Sequence, residues 1–225
     1  MAKVFIISAP SGSGKSTLVA RIRRAVPALE FSISYTTRKL RGNEQDGREY
    51  FFVSRPEFEQ MIQDGEFLEH ADVFGNYYGT ARRFQRKAGE QDNDLLLDID
   101  VQGAAQIKAK LPAAVSIFVL PPNRSALEQR LRMRGQDDEK TIERRLEEAK
   151  REIENYDKYD YILVNDNLED SVKALEAILL SERQRLFGNP DVNLSELAET
   201  CRLNNVRERL DPILQSFRAV AAGGK

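Results

Sequence analysis

Apolar positions along the chain fall into short continuous runs separated by longer amphipathic stretches. Val4-Phe5-Ile6-Ile7, Leu95-Leu96-Leu97 and Val115-Ser116-Ile117-Phe118-Val119-Leu120 carry almost no polar alternation. Runs of that length and character suit strands buried on both faces, as in a parallel sheet. They predict strands over 3–8, 93–100 and 115–120, with a fourth over 161–164. Helical spacing predicts helices over 15–25, 102–111, 124–133, 138–156 and 168–185. Strands and helices that alternate in this way predict an α/β fold, a doubly wound parallel sheet.

The middle of the chain has a different rhythm. Residues 29–35 and 49–53 read as extended from their aromatic and β-branched content, with a polar, basic loop over 36–47 between them. Ser54-Arg55-Pro56-Glu57 is a capping box that opens a short helix, and Gly65 ends it. Residues 66–74 are extended, Gly75-Asn76 is a turn, and 81–88 is a basic helix. The stretch 34–84 is therefore expected to be an inserted α+β lobe. Beyond Gly188-Asn189-Pro190, Leu194, Leu197 and Leu203, then Leu210, Ile213, Leu214 and Phe217, recur at helical spacing. Two further helices are expected in an extension over 186–225. Their apolar faces need burial on the core or across a subunit interface, and a homo-oligomer through this extension is the expectation favoured. The last residues, 222–225, are expected to fray.

Composition narrows the function. With Lys+Arg 34 against Asp+Glu 36, the net charge of −2 offers no global attraction to nucleic acid or an anionic membrane. Any anion site must be a local cluster. Cys201 is the single cysteine, which excludes an intramolecular disulfide and a cysteine-based metal site. His70 is the single histidine and reads as a structural or rim residue. Neither a membrane span nor a secretory signal is present, so a cytoplasmic protein is expected.

The chemistry centres on Ala9-Pro10-Ser11-Gly12-Ser13-Gly14-Lys15-Ser16-Thr17, between the first strand and the first helix. Backbone N–H groups of such a turn form an anion-binding hollow, and the helix N-terminus adds partial positive charge. Lys15 would reach the β- and γ-phosphates of a nucleotide, and the Ser16 hydroxyl would ligate Mg²⁺. Ala9 stands where the phosphate-loop pattern has glycine, so the turn there must tolerate a methyl group.

Three further constellations join this loop. Ser34-Tyr35-Thr36-Thr37-Arg38-Lys39-Leu40-Arg41, with Tyr50, sets two arginines among hydroxyls and suits a phosphate dianion, because arginine donates planar bidentate hydrogen bonds. Taken alone, such a loop is equally what a solvated surface looks like. Glu69, with Asn76-Tyr77-Tyr78-Gly79-Thr80, could accept from a base's ring N–H and exocyclic amine. Asp98 and Asp100 end an apolar strand two residues apart. That spacing puts both on one face, where one could hold Mg²⁺ through water and the other orient an acceptor. A charged segment with Arg130, Arg134, Arg144 and Arg145 is either a solvated helix or a lid whose arginines close over the transferring phosphoryl group.

Together these stretches, with Asp98-Ile99-Asp100-Val101-Gln102-Gly103 and Ile162-Leu163-Val164-Asn165-Asp166, closely resemble the guanylate kinase family. The resemblance runs from Lys3 to about Arg183. It implies a kinase domain over 1–185 with a GMP-binding lobe at 34–84 and a lid at 126–157, leaving 186–225 uncovered. It implies that Ser34, Arg38, Arg41, Tyr50 and Tyr78 hold the GMP phosphate, and that Gly79 belongs to the same site. Glu69, Thr80 and Asp98 would read guanine or lie beside it, Arg134 and Arg145 would be lid arginines, and Asn165 would lie near the adenine of ATP. Lys39 and Leu40 stand where the family often has prolines, and Thr80 where some members have serine. The implied reaction is γ-phosphoryl transfer from ATP to GMP or dGMP with Mg²⁺, and it needs no histidine base. The phosphate of a nucleoside monophosphate has a second pKa near ~6 and is already largely dianionic at neutral pH. A sugar-phosphate kinase on the same fold would not need Glu69 and Thr80. A non-catalytic scaffold would not need Gly14-Lys15-Ser16, Arg38, Arg41 and Arg145.

Overall fold

A computed structural model describes residues 2–73, 75–133, 138–188 and 191–218. The chain divides into two compact units, one of Met1–Ile6 and Pro27–Val115, the other of Ile7–Val26 and Ser116–Lys225. Strand β1 (Val4–Ser8) contributes to both. It is the middle strand of a five-stranded central sheet ordered β2-β7-β1-β8-β9, with β2 (Leu29–Ser32), β7 (Asp94–Asp98), β8 (Val115–Leu120) and β9 (Tyr161–Val164). The β2–β7 and β8–β9 pairs are parallel. The apolar runs behave as their lack of alternation requires. Leu95 to Leu97 and Ile117 to Leu120 have essentially no exposed surface, because both faces of the sheet are covered.

The first unit carries a second sheet, ordered β4-β3-β6-β5: β3 (Tyr35–Thr36), β4 (Phe51–Phe52), β5 (Phe67–Val73) and β6 (Asn76–Ala81). Two expectations need correction here. The single extended stretch 29–35 is broken into β2 and β3, which belong to different sheets. The residues after Gly75 are not a bare turn leading to a helix. They form β6, antiparallel to β5, with Asp72 opposite Tyr77 and Ala71 opposite Tyr78. Gly75 supplies the positive φ of +78° at the hairpin, and tyrosine and threonine are strong strand formers whose signal Gly79 interrupts. Around this sheet lie α2 (Arg55–Gln63), α3 (Arg82–Glu90) and α4 (Val101–Lys110). The capping box at α2 is complete, with Ser54 and Glu57 each accepting from the other's backbone N–H.

The second unit holds α1 (Lys15–Ala25), α5 (Arg124–Met133), α6 (Glu139–Ile153), α7 (Leu168–Arg185), α8 (Val192–Glu199) and α9 (Leu203–Arg218). The expected helix 138–156 ends at Ile153 and gives way to a 3-10 turn, Tyr156–Lys158. The apolar stripe of α9 finds its burial within the chain. Val206, Leu210, Ile213, Leu214 and Phe217 are all buried, and α9 packs on α5, α6 and β9. Of the two ways to cover that stripe, the structure shows the intramolecular one. Its need for burial therefore gives no argument for a subunit interface. Residues 222–225 lie outside the described residues.

Just before α9 the chain pairs with the edge of β9. Ile162 N–H donates to the Cys201 carbonyl at 2.8 Å, and Leu203 N–H to that of Asp160 at 3.2 Å. Behind this pairing the Tyr161 hydroxyl donates to buried Glu182 at 2.6 Å, and Arg202 donates to the same carboxylate at 2.7 Å while lying over the Tyr161 ring. Burial and the Glu182 carboxylate keep the Tyr161 phenol protonated far above its ordinary pKa.

Candidate active site

The first unit gathers the residues expected at a GMP site. Glu69, on β5, is buried and accepts a hydrogen bond from the Thr80 hydroxyl on β6 at 2.6 Å. The β5–β6 register sets them opposite each other on one face. Burial pushes the Glu69 carboxyl up to about 7, and Asp100 nearby acts in the same direction, while the Thr80 hydroxyl and Lys110 oppose it. The first turn of α4 presses against this carboxylate. A Cβ on Gly103 would stand 2.6 Å from Glu69 Oε2, so any side chain there would have to push the carboxylate aside. Asp98 is half-buried at the end of β7. Asp100 is not a strand residue sharing its face but the N-cap of α4, its carboxylate accepting the Gly103 N–H at 2.8 Å.

In the basic loop the Arg38 side chain is already tied down. The Arg38 guanidinium makes paired hydrogen bonds to Glu44 at 2.9 and 2.8 Å and a third to the Lys39 carbonyl at 2.7 Å. Those to Glu44 favour its charged form against the opposing effect of burial, and Tyr78 adds to them. In return Arg38 holds the Glu44 carboxyl below its ordinary pKa. Glu44 also accepts the Arg41 N–H at 2.8 Å, so one carboxylate shapes the backbone between the two arginines. Arg38 lies over the Tyr50 ring at 5.3 Å, and Tyr50 meets Tyr78 edge to face. Ser34 is buried between β2 and β3, its carbonyl accepting from Phe51 N–H. Gly79 is glycine for packing. A Cβ there would come within 2.8 Å of Phe67 and 2.9 Å of Phe58.

The second unit holds the phosphate-binding loop. Gly12 and Gly14 take the positive φ values, +93° and +89°. Ser13 N–H bonds to the Pro10 carbonyl, closing the turn. Gly12 is further required by Leu127 of α5, whose Cδ1 would lie 2.8 Å from an added Cβ. Ala9 is half-buried, Pro10 buried and Ser11 exposed; Lys15, Ser16 and Thr17 form the first turn of α1, with Gly14 as its N-cap. Among the described residues no side chain caps this helix, which leaves its first N–H groups to the loop. Asn165 follows β9, and its amide donates to the Ser13 carbonyl at 2.7 Å, so it braces the loop. Arg145 is half-buried on α6, and Arg134 lies outside the described residues.

A buried carboxylate–hydroxyl pair in one unit and a glycine loop opening a helix in the other agree with sequence comparison. The sequence model of the family described as guanylate kinase matches residues 1–182. The chain belongs to the guanylate kinase family. It is 56% identical to a guanylate kinase of Koribacter versatilis, over 96% of this chain and 95% of that one. It is 48% identical to one of Vibrio parahaemolyticus, over 80% and 88%. The crystal structure of guanylate kinase from Anaplasma phagocytophilum superposes with a TM-score of 0.65 at 31% identity, covering 94% of each chain.

Several structural contributors within this guanylate kinase family chain escape a sequence reading. Glu44 looks like one more charge in a solvated loop until its bonds to Arg38 and Arg41 are seen. Gly103 carries a faint signal, a glycine in the first turn of a helix where alanine would be favoured. Arg130, expected from its charged segment to belong to a solvated helix or a lid, donates to the Asn165 carbonyl at 2.9 Å and reaches that of Ser13 at 3.5 Å.

Proposed function

We propose that the protein transfers the γ-phosphoryl group of ATP to GMP, and to dGMP, yielding ADP and GDP or dGDP. The observation that carries this reading is the buried Glu69–Thr80 pair. Guanine presents a ring N1–H and a 2-amino group side by side, and an ionised carboxylate offers two acceptors and no donor. Thr80, which donates to Glu69, would turn its hydroxyl to guanine O6. Adenine offers a lone pair where guanine has N1–H, and lacks the 2-amino group.

Ser34, Arg38, Arg41, Tyr50 and Tyr78 would receive the GMP phosphate, with Glu44 holding the Arg38 guanidinium and the Arg41 backbone in advance of binding. The N–H groups of the phosphate loop and the Lys15 ammonium would hold the ATP phosphates, and Arg134 and Arg145 would neutralise charge that develops in transfer. Because the acceptor phosphate is already a dianion, the chain's task is positioning and charge neutralisation rather than deprotonation. The exposed Ser16 hydroxyl and the Asp100 carboxylate are hard oxygen donors and suit Mg²⁺, which would enter with ATP, Asp100 acting through water. When bound, the ion supplies further charge neutralisation on the phosphates. No described helix is long and apolar enough to cross a membrane. We assign the protein to the cytoplasm and to recycling of GMP within purine nucleotide metabolism.

A coupled ADP-release assay with ATP and GMP, dGMP, AMP, CMP or UMP tests this reading. GMP and dGMP should be used, and AMP should trail GMP in kcat/KM by roughly 10⁴, the scale on which a site built for missing donors rejects an analogue. Lys15→Met should fold normally and lose most turnover. Equal use of AMP, or near-normal transfer by Lys15→Met, would overturn the assignment.

A further inference from the structure

The family match ends at residue 182, yet the segment beyond it is joined to the two elements that support the phosphate-binding loop. One junction is with β9. The backbone around Cys201 and Leu203 pairs with its edge, and Arg202 bonds to Glu182 and covers Tyr161. The other is with α5. Asn123 Oδ1 accepts the Ala126 N–H at the start of that helix, and Arg124 N–H, one of its orphan donors, bonds to Ser216 Oγ of α9 at 3.0 Å. A residue 92 positions away thus completes the cap of α5.

Both supported elements lead to one atom. Asn165, the residue after β9, donates its side-chain amide to the Ser13 carbonyl. Arg130 of α5 reaches the same carbonyl and ties it to Asn165. The Ser13 C=O and the Gly14 N–H belong to one planar trans peptide. Two donors that fix the carbonyl therefore also fix the direction of the opposite N–H, which the loop turns toward phosphate. We propose that Arg202 and Ser216 are positioning residues for the ATP site, setting the Ser13–Gly14 peptide through β9 and α5. The proposal rests on the ATP:GMP reading above.

Steady-state kinetics of the full chain carrying Arg202→Met or Ser216→Ala provide the test. Each variant should raise KM for ATP about five-fold, the scale of one lost hydrogen bond. KM for GMP, whose groups lie in the other unit, should stay within about two-fold, and Ser216→Thr should restore the wild-type ATP value. A contribution to folding alone would reduce the active fraction and the apparent kcat while moving neither KM. Unchanged ATP kinetics, or KM values for ATP and GMP that rise together, would overturn the proposal. If the wild type does not phosphorylate GMP, the functional reading falls. The proposal is then decided by equilibrium binding of a fluorescent ATP analogue, which both variants should weaken about five-fold; wild-type affinity in both would overturn it.

Discussion

At the scale of single residues, the role proposed for Glu69 and its burial pull in opposite directions. To accept both guanine donors it would have to be ionised, and burial holds its carboxyl at about 7. A carboxyl whose folded pKa is raised contributes stability that is complete below its unfolded value near 4.5 and is lost as pH rises through 7. The charge therefore destabilises the empty protein above pH 7, by on the order of 3 kcal/mol from the size of the shift. Glu69→Gln keeps an acceptor for Thr80 and never ionises. Its melting temperature relative to wild type should climb between pH 5 and pH 8, by several degrees for a chain of this length. A constant difference across that range would show that Glu69 titrates elsewhere. Binding should move the other way. Wild-type KM for GMP should rise as pH falls below 7, and the ratio of variant to wild type should shrink. Taking the ratio cancels the titration of the GMP phosphate itself, which affects both proteins alike.

At the scale of elements, the first turn of α4 packs against the carboxylate proposed to read the base. Glycine at 103 lets the helix start touch Glu69, at the expense of helix propensity. Gly103→Ala should raise KM for GMP roughly ten-fold or more, because the new methyl group must displace the carboxylate, while KM for ATP should stay within about two-fold. Gly89, in α3, faces open space, so Gly89→Ala should leave both KM values alone and raise the melting temperature slightly. Equal kinetics for the two variants would remove the contact from the account. The same comparison shows what a sequence can disclose. The apolar runs of β1, β7 and β8, the turn chemistry at Gly12 and Gly14, and the capping box at Ser54 are local, and each was legible from its own residues. The break between β2 and β3, the pairing of β6 with β5, and Glu44 with Arg38 depend on partners brought together by folding. Asp100 misled for a related reason. Two carboxylates two apart share a face only while the strand continues, and here the strand ends at Asp98.

At the scale of the whole molecule, the extension forms part of the second unit's core. Deleting everything after Gly188 removes the five buried side chains of α9 and the Arg202 partner of buried Glu182. Burial of each large apolar side chain is worth roughly 1.5–3 kcal/mol. The shortened chain should melt at least 10 °C lower, a shift read by calorimetry. An unchanged melting temperature would mean that α9 adds nothing to the fold. The pairing at Cys201 and Leu203 has a further consequence. β9 is the last strand of the central sheet, and an unpaired strand edge is a template for a strand from another molecule. Loss of the extension should therefore make the protein stickier. Light scattering should show the shortened chain gaining mass with concentration and time, and sedimenting as a spread of aggregates. The segment beyond residue 188 would then be, besides a support, the chain's own guard against amyloid-like growth along that edge.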